Sequence, residues 1–264
     1  MSFKQKLEEN SQIDALVRSK LMKNNKEIDW EVMNLVPNPF PGSGQSDALS
    51  AVYQAFKEHT NIPIELPVFC LLSYMSAYLV KNGSKVKVAN IKDPMELDLW
   101  LISLAESGSS KTLSSSIIEK SIPNDETGSK AVNANFEQAA GGASFVEELK
   151  EKNRGFYIQD ECGQLIKQIE TLGSPLSEIK KYLLYTYDHQ TVSRKTKKDL
   201  LEVENPVLTM FWLNTIEGFI KAISDESLQD GFCQRFLYVW ALKDPAREME
   251  DHALYPTEKK YTTQ

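Results

Sequence analysis

Residues 106–112 (ESGSSKT) combine a short, small-residue run with a lysine and a hydroxyl group. In the pattern G-x-x-x-x-G-K-[ST], backbone N–H groups surround phosphate, the lysine reaches the β- and γ-phosphates, and the hydroxyl binds Mg²⁺. The lysine and threonine stand where that pattern requires them, but Ala105 and Ser110 replace its two glycines. The run predicts a phosphate-binding loop with these candidate contacts: Glu106, Ser107, Gly108, Ser109, Ser110, Lys111 and Thr112.

Two adjacent carboxylates, Asp160 and Glu161, follow a second apolar run about fifty residues downstream. A phosphate loop needs a partner strand that ends in an acid, which holds Mg²⁺ and orients water. Where the strand ends the chain turns, so both acids can face a nucleotide. We expect Asp160 to coordinate Mg²⁺ through water and Glu161 to act as the general base. A solvated acidic strand end is the alternative.

Two later positions have side chains that can act on a terminal phosphate. Asn214 and Thr215 end the apolar run that begins at Pro206, and a polar group there can reach the γ-phosphate or the attacking water. Arg235 opens another apolar run, and arginine stabilises charge on a transferring phosphoryl group. Thr215 can instead cap the next helix. Arg235 can instead form an ion pair with one of three nearby acids: Asp225, Glu226 and Asp230.

The phosphate-loop assignment itself has alternatives. Residues 106–112 can be a serine-rich turn whose lysine is merely exposed. Residues 41–46 (PGSGQS) match the glycine pattern better, but glutamine stands where the lysine belongs and the preceding residues are rich in proline. We therefore interpret residues 41–46 as a flexible connector that caps the next helix.

Hydrophobic periodicity predicts the elements that must position these residues. The apolar run 97–104 directly before the loop is typical of a central strand covered on both faces. Other strands are predicted at 85–89, 155–159, 206–213 and 235–242, and helices at 12–23, 47–59, 66–81, 112–119, 143–151, 163–171, 177–187 and 217–223. Because strands alternate with helices, we expect a mostly parallel sheet in an α/β fold.

The domain organisation follows from the same patterns. Residues 1–45 are predicted to be a polar arm and linker, and residues 46–264 one α/β domain. Within that domain, residues 46–90 form a helical lead-in and residues 91–242 the core, so a helical N-terminal segment precedes a three-layer core.

Composition sets the class of protein. The 264 residues are 41% hydrophobic and carry a net charge of −7, which disfavours broad nonspecific binding to nucleic acid. The three cysteines have no metal-binding or disulfide spacing and fit a reducing compartment. The most apolar stretch, residues 68–80, is shorter than the about 20 residues that span a bilayer. We expect a cytoplasmic protein with no membrane partner.

One dense basic run offers a contact for nucleic acid. Its charged residues are Arg194, Lys195, Lys197 and Lys198, in a polar connection with tyrosines nearby in the sequence. Such a run can bind single-stranded or duplex DNA through its phosphates, with the aromatic residues stacking on bases. A solvated loop is the alternative.

The ordered set of motifs resembles an uncharacterised bacterial and phage family of primase–helicase-associated phosphate-loop (P-loop) NTPases over residues 46–242. The resemblance rests on the loop 106–112, the acid pair 160–161, Tyr187-Asp188, the strand entry Asn205-Pro206 and the block 230–236 (DGFCQRF). It implies a helicase-like, RecA-like or AAA-like P-loop NTPase core. ATP and Mg²⁺ are the implied ligands, in a homo-oligomer that acts with a primase or other replication partner of a mobile element.

The sequence departs from the family at residues 214–215 (NT), where a threonine–glutamine pair is expected. Three hypotheses remain. The first is a Mg²⁺-dependent ATPase that moves or remodels DNA, with Arg235 acting within or across a subunit interface. The second is a nucleotide-binding assembly or regulatory module with little turnover. The third is a structural protein with a degenerate phosphate loop.

Overall fold

The computed structural model describes residues 48–89, 91–122, 132, 140–171, 173–195, 200–224 and 230–243. The chain divides into two compact units, Met1–Ser50 and Ala51–Gln264, and nearly all described residues belong to the second. The predicted polar arm 1–45, its helix at 12–23 and the glycine-containing segment 41–46 lie outside the described residues.

A four-stranded parallel sheet forms the centre of the fold. Its strands in spatial order are β4 (Gly155–Gln159), β7 (Leu208–Thr215), β3 (Trp100–Ala105) and β8 (Leu237–Ala241). The sequence places β4 directly after β3, but β7 is inserted between them. The predicted parallel sheet is confirmed, and the described residues form a mixed α/β fold with seven helices.

The central strands are covered on both faces because nearly all their residues are apolar. All six residues of β3 are buried, and only Thr215 of β7 is partly exposed. Neither strand alternates between apolar and charged residues, as expected for strands with helices on each side.

One face of the sheet is covered by helix α2 (Glu65–Lys81), which follows α1 (Ala48–His59). The Ser76 hydroxyl of α2 lies 3.1 Å from the Thr209 hydroxyl of β7, and the Tyr74 ring packs edge-on against Phe156 of β4. Helix α3 (Lys111–Ser121) packs beside α2 on this side of the sheet.

The opposite face carries the main apolar cluster. Helices α4 (Gly142–Glu151), α5 (Cys162–Glu170), α6 (Ile179–Tyr187) and α7 (Ile216–Ala222) all contribute to it. Trp212 of β7 lies at its centre, with ring centroids 5.1 Å from Phe236 and 5.7 Å from Tyr157. This layer holds α5 and α7 against the end of β7.

Two short antiparallel pairs lie outside the main sheet. Strands β1 (Lys85–Val86) and β2 (Met95–Glu96) form one, and β5 (Val192–Lys195) and β6 (Leu200–Val203) form the other. The predicted strand 85–89 is therefore shorter than expected, and β2, β5 and β6 were not predicted. The first two residues of the basic run, Arg194 and Lys195, belong to β5.

The predicted strand 235–242 is also shorter in the structure. It begins at Leu237, and Arg235 belongs to a short 3₁₀ helix, Cys233–Arg235, before it.

Among the described residues, no helix has the length and apolarity needed to cross a membrane. Cys70, Cys162 and Cys233 are buried free thiols.

Arg154 ties three elements together at the amino end of β4. Its guanidinium donates to both carboxylate oxygens of Glu96, at 3.2 and 2.5 Å, and its Nε donates to the Val80 carbonyl at 2.6 Å. Burial opposes ionisation of Glu96, but the bonds from Arg154 and from Lys85 outweigh it, so the Glu96 pKa is lowered.

We predict that Arg154→Met lowers the free energy of unfolding by about 2 to 3 kcal/mol at neutral pH, because a largely buried carboxylate loses its main partner. A lowered pKa in the folded state stabilises the protein above the unfolded value of about 4.3 and stops doing so as the pH falls through the folded value. The loss should therefore shrink below about pH 4. Urea unfolding of Arg154→Met across pH, beside the exposed control Lys120→Met, measures this. The lost bond to the Val80 carbonyl leaves a part of the deficit that does not change with pH, and a deficit of unchanged size in acid contradicts the prediction.

Candidate phosphate-binding site

The loop between β3 and α3 is a tight turn formed by residues 106–110. The Ser109 N–H and hydroxyl both donate to the Glu106 carbonyl, at 3.3 and 2.7 Å. Gly108 has a φ of +76°, and no atom lies near the position of an added Cβ. Glycine is favoured there by the left-handed backbone rather than by lack of space.

Ser110 has a left-handed backbone as well, with φ 59° and ψ 36°, directly before the first residue of α3. It stands where the phosphate-loop pattern has its second glycine. An L-residue costs about 1 to 2 kcal/mol in this region because its Cβ approaches the following carbonyl. The missing glycine therefore leaves the loop conformation in place and adds strain.

The start of α3 leaves backbone donors without a side-chain cap. No side chain accepts a hydrogen bond from its first turn. Helix α7 differs, since the Thr215 hydroxyl accepts from the Gly218 N–H at 3.0 Å. Thr215 thus has the capping role left open above, whereas the uncapped N–H groups of α3 and its dipole favour an anion.

Thr112 of α3 and Asp160 after β4 meet across the end of the sheet. The Thr112 hydroxyl donates to Asp160 Oδ2 at 2.6 Å, although the residues are 48 positions apart and their strands are not neighbours. Hydroxyl and carboxylate oxygens are ligands that a hard cation such as Mg²⁺ prefers. This pair fits the predicted metal site.

Glu161 directly precedes α5 and has a left-handed backbone, φ 50°. Its N–H donates to Asp160 Oδ1 at 2.9 Å, and its Oε2 accepts from Gln164 at 2.8 Å. The carboxylate is exposed, so it has access to solvent water. Left-handed non-glycine residues cluster at functional sites, where surrounding packing holds them.

A cavity of about 390 Å³ opens at the carboxyl ends of the strands. Its walls are formed by α3, the acids after β4, α5, the end of β7 and α7. The lining residues are Lys111, Thr112, Asp160, Glu161, Gly163, Gln164, Lys167, Asn214, Thr215, Gly218, Lys221 and Ala222. The chain leaves β3 toward β4 and leaves β7 toward β8, in opposite directions along the sheet. Ligands of open parallel sheets bind outside the carboxyl ends of the strands, where neighbouring strands lead in opposite directions.

Asn214 lies at the last buried position of β7 and is 5% exposed. Its Oδ1 accepts from the Thr215 N–H at 2.9 Å, while its Nδ2 is buried without a hydrogen-bond partner. A Cβ at position 163 would collide with this Nδ2, so Gly163 leaves the amide its space. A buried unpaired donor in a cavity wall indicates a missing acceptor.

Arg235 does not line this cavity. It precedes β8 and so lies at the amino edge of the sheet, whereas the cavity is at the carboxyl edge. Its guanidinium donates to Asp188 at 3.0 Å and to the Gly231 carbonyl at 2.9 Å, and it lies over the Tyr187 ring at 5.2 Å. The structure thus gives Arg235 an ion pair with an acid that was not among those considered, and a catalytic role stays a prediction.

The two described residues of the basic run differ in exposure: Arg194 is half-buried and Lys195 is exposed. Arg194 pairs with Glu178 at 2.8 Å and its side chain is 27% exposed, so it anchors β5 to the body of the domain. Lys195 is exposed at the end of β5. Lys197 and Lys198 lie outside the described residues. Arg194 is therefore poorly available to nucleic acid, and Lys195 is available.

Six cavity residues were not predicted from the sequence: Gly163, Gln164, Lys167, Gly218, Lys221 and Ala222. Their signal was helical spacing, since Gly163 and Lys167 are four apart on α5 and Gly218 and Lys221 three apart on α7. The small residues let α5 and α7 approach, because a Cβ at 163 would lie 3.1 Å from both the Gly218 carbonyl and the Ala222 Cβ.

No model of a known protein family matches the chain, and a search of curated proteins finds no similar sequence.

We predict that Ser110→Gly raises the free energy of unfolding by about 0.5 to 1 kcal/mol, because glycine relieves the left-handed strain. The matched control is Ser116→Gly in the middle of α3, where glycine should cost about 0.5 kcal/mol through helix propensity. Denaturant unfolding compares the two. Equal destabilisation by both substitutions would contradict the strain argument.

Proposed function

We propose that this chain binds and hydrolyses ATP with Mg²⁺ as a P-loop protein. The observation that carries the proposal is the 2.6 Å bond between Thr112 and Asp160, which joins the loop after β3 to the acid after β4 in one cavity. A serine-rich turn with an exposed lysine gives no reason for such a bond.

Each residue then has a distinct task. The N–H groups of the loop and the Lys111 ammonium hold the β- and γ-phosphates, and Thr112 and Asp160 would hold Mg²⁺. When bound, Mg²⁺ supplies positive charge that neutralises phosphate oxygens. The Asn214 Nδ2 donates to a γ-phosphate oxygen or to the attacking water.

Hydrolysis requires one proton transfer and one bond exchange at phosphorus. The water oxygen bonds to the γ-phosphorus while the bond from that phosphorus to the β–γ bridging oxygen breaks, and its electron pair leaves with the diphosphate. Glu161 accepts the water proton as general base. Its hydrogen bond to Gln164 holds the carboxylate at the cavity wall.

The biological setting is proposed from the resemblance alone. We place the protein among helicase-like NTPases in the cytoplasm, acting in replication or maintenance of a phage, plasmid or other mobile element. A homo-oligomer with a primase or other replication partner is the expected assembly. Single-stranded or duplex DNA is the expected polymer ligand. Among the described residues, Lys195 is the proposed contact with it.

A second candidate is a nucleotide-binding assembly or regulatory module with little turnover. The observation that favours it is the position of Arg235, since no arginine lines the cavity among the described residues. Strain at Ser110 also weakens the case for an optimised catalyst. Turnover separates the two candidates.

We predict that Glu161→Gln reduces ATP turnover by about 10²- to 10⁴-fold while nucleotide binding remains, because the amide cannot accept the proton. Lys111→Ala should weaken ATP binding at least about tenfold, because a charged hydrogen bond to phosphate is lost. The assays are phosphate release and equilibrium binding, with Lys120→Ala on the same helix as control. Unchanged turnover in Glu161→Gln removes the proposed base, and unchanged binding in Lys111→Ala removes the loop.

We predict that single-stranded DNA stimulates this turnover, and that replacing Lys195, Lys197 and Lys198 with glutamine removes the stimulation. Arg194 is left in place because it pairs with Glu178. Phosphate release with and without DNA, at two salt concentrations, measures the effect, since phosphate contacts weaken with salt. Absence of stimulation by any nucleic acid contradicts the helicase-like assignment.

A further inference from the structure

The cavity at the carboxyl edge receives cations from both helical layers. Lys111 comes from α3, which packs with α2 on one side of the sheet. Lys167 of α5 and Lys221 of α7 come from the layer on the other side. A ligand in the cavity would therefore be lined by lysines from both helical layers.

The charges of the cavity favour an anion once its carboxylates are occupied. Three ammonium groups and two carboxylates line it. Asp160 already accepts from Thr112, and Glu161 from Gln164. A cation held by Asp160 would leave the lysines facing the ligand, so the net charge at the ligand would be positive.

Lys167 is the better available of the two lysines on the far wall. No carboxylate pairs with it among the described residues. Lys221 has a partner, Glu217, at 3.7 Å, but both side chains are highly exposed, 78% and 87%, and such pairs contribute little. Both ammonium groups can therefore turn to an anion at small cost.

A buried donor lies on the same wall. The Asn214 Nδ2 has no partner, and it sits beside Gly163, one helical turn before Lys167 on α5. Asn214 and Lys167 line the same cavity, and the oxygen atoms of an anion can accept from both side chains. Lys167 is exposed, so water solvates it without a ligand, but an anionic oxygen is a stronger acceptor for both groups.

We infer that Lys167, assisted by Lys221, contacts the terminal phosphate of a bound nucleoside triphosphate from the side opposite Lys111. This inference rests on the proposed nucleotide binding and assigns to Lys167 the task that sequence analysis gave to Arg235. Lys167 neutralises charge on the γ-phosphate oxygens, and a diphosphate, which lacks that group, does not reach it. Lys167 is then a determinant of triphosphate over diphosphate selectivity.

The test is binding rather than turnover. We expect Lys167→Gln to weaken binding of a non-hydrolysable ATP analogue by about 5- to 20-fold, and binding of ADP by less than about twofold, because only the former loses a charged hydrogen bond. Lys167→Arg should restore the preference, and Lys120→Gln, which removes the same charge outside the cavity, should leave both affinities unchanged. Titration calorimetry with Mg²⁺ present gives both constants, and circular dichroism reports whether the variants fold.

The outcomes separate this inference from the proposed function. If the parent protein binds the analogue and Lys167→Gln loses the preference over ADP, Lys167 contacts the terminal phosphate. If the parent binds and Lys167→Gln weakens analogue and ADP equally, or neither, the inference is overturned and the proposed function stands. If the parent binds neither nucleotide at millimolar concentration, both are overturned.

Discussion

The pairing of β7 with both β3 and β4 is the constraint on which the candidate site depends. The register sets Asn214 beside Leu104 and Thr215 beside Ala105, so the polar end of β7 lies level with the start of the loop. On its other side, Gln159 pairs with Trp212, which brings the acids after β4 to the same edge. Thr112 and Asp160 can bond only because β7 ends between them. A shift of one residue in β7 would turn Asn214 to the other face and remove its amide from the cavity.

The sequence could predict strands that are mostly apolar and that have glycine or charged residues at their ends. Strand β4 has the predicted bounds because three large apolar residues lie between a glycine and two acids. The β5–β6 pair could not be recognised, since its strands are only four residues long and mostly exposed or half-buried. The spatial order of strands was also beyond the sequence. It depends on β7 entering between strands that precede it in the chain, and local patterns carry no information on that pairing.

Residue type and position together predicted which candidate side chains share one edge of the sheet. Lys111, Thr112 and Asp160 each follow the carboxyl end of a parallel strand, and such ends share one edge of the sheet. Arg235 was selected by type, although it precedes a strand. In a parallel sheet that position lies at the other edge, roughly 15 Å away for a strand of this length. Lys167 was missed for the opposite reason: it lies within a helix, and only the packing of α5 against the end of β7 makes it a wall of the cavity.

The site has two residues with a left-handed backbone, and their side chains differ in chemical role. Ser110 and Glu161 each precede the helix that follows a strand, with φ values of 59° and 50°, and neither side chain caps its helix. Glycine would relieve the backbone at both positions. At position 161 it would also remove a carboxylate from the cavity, so the strain there maintains a chemical group. At position 110 glycine would remove no chemical group that the loop uses, because the Ser110 hydroxyl makes no hydrogen bond within the loop. Helix α3, which follows Ser110 directly, packs against α2, and we expect this packing to hold Ser110 in its strained conformation.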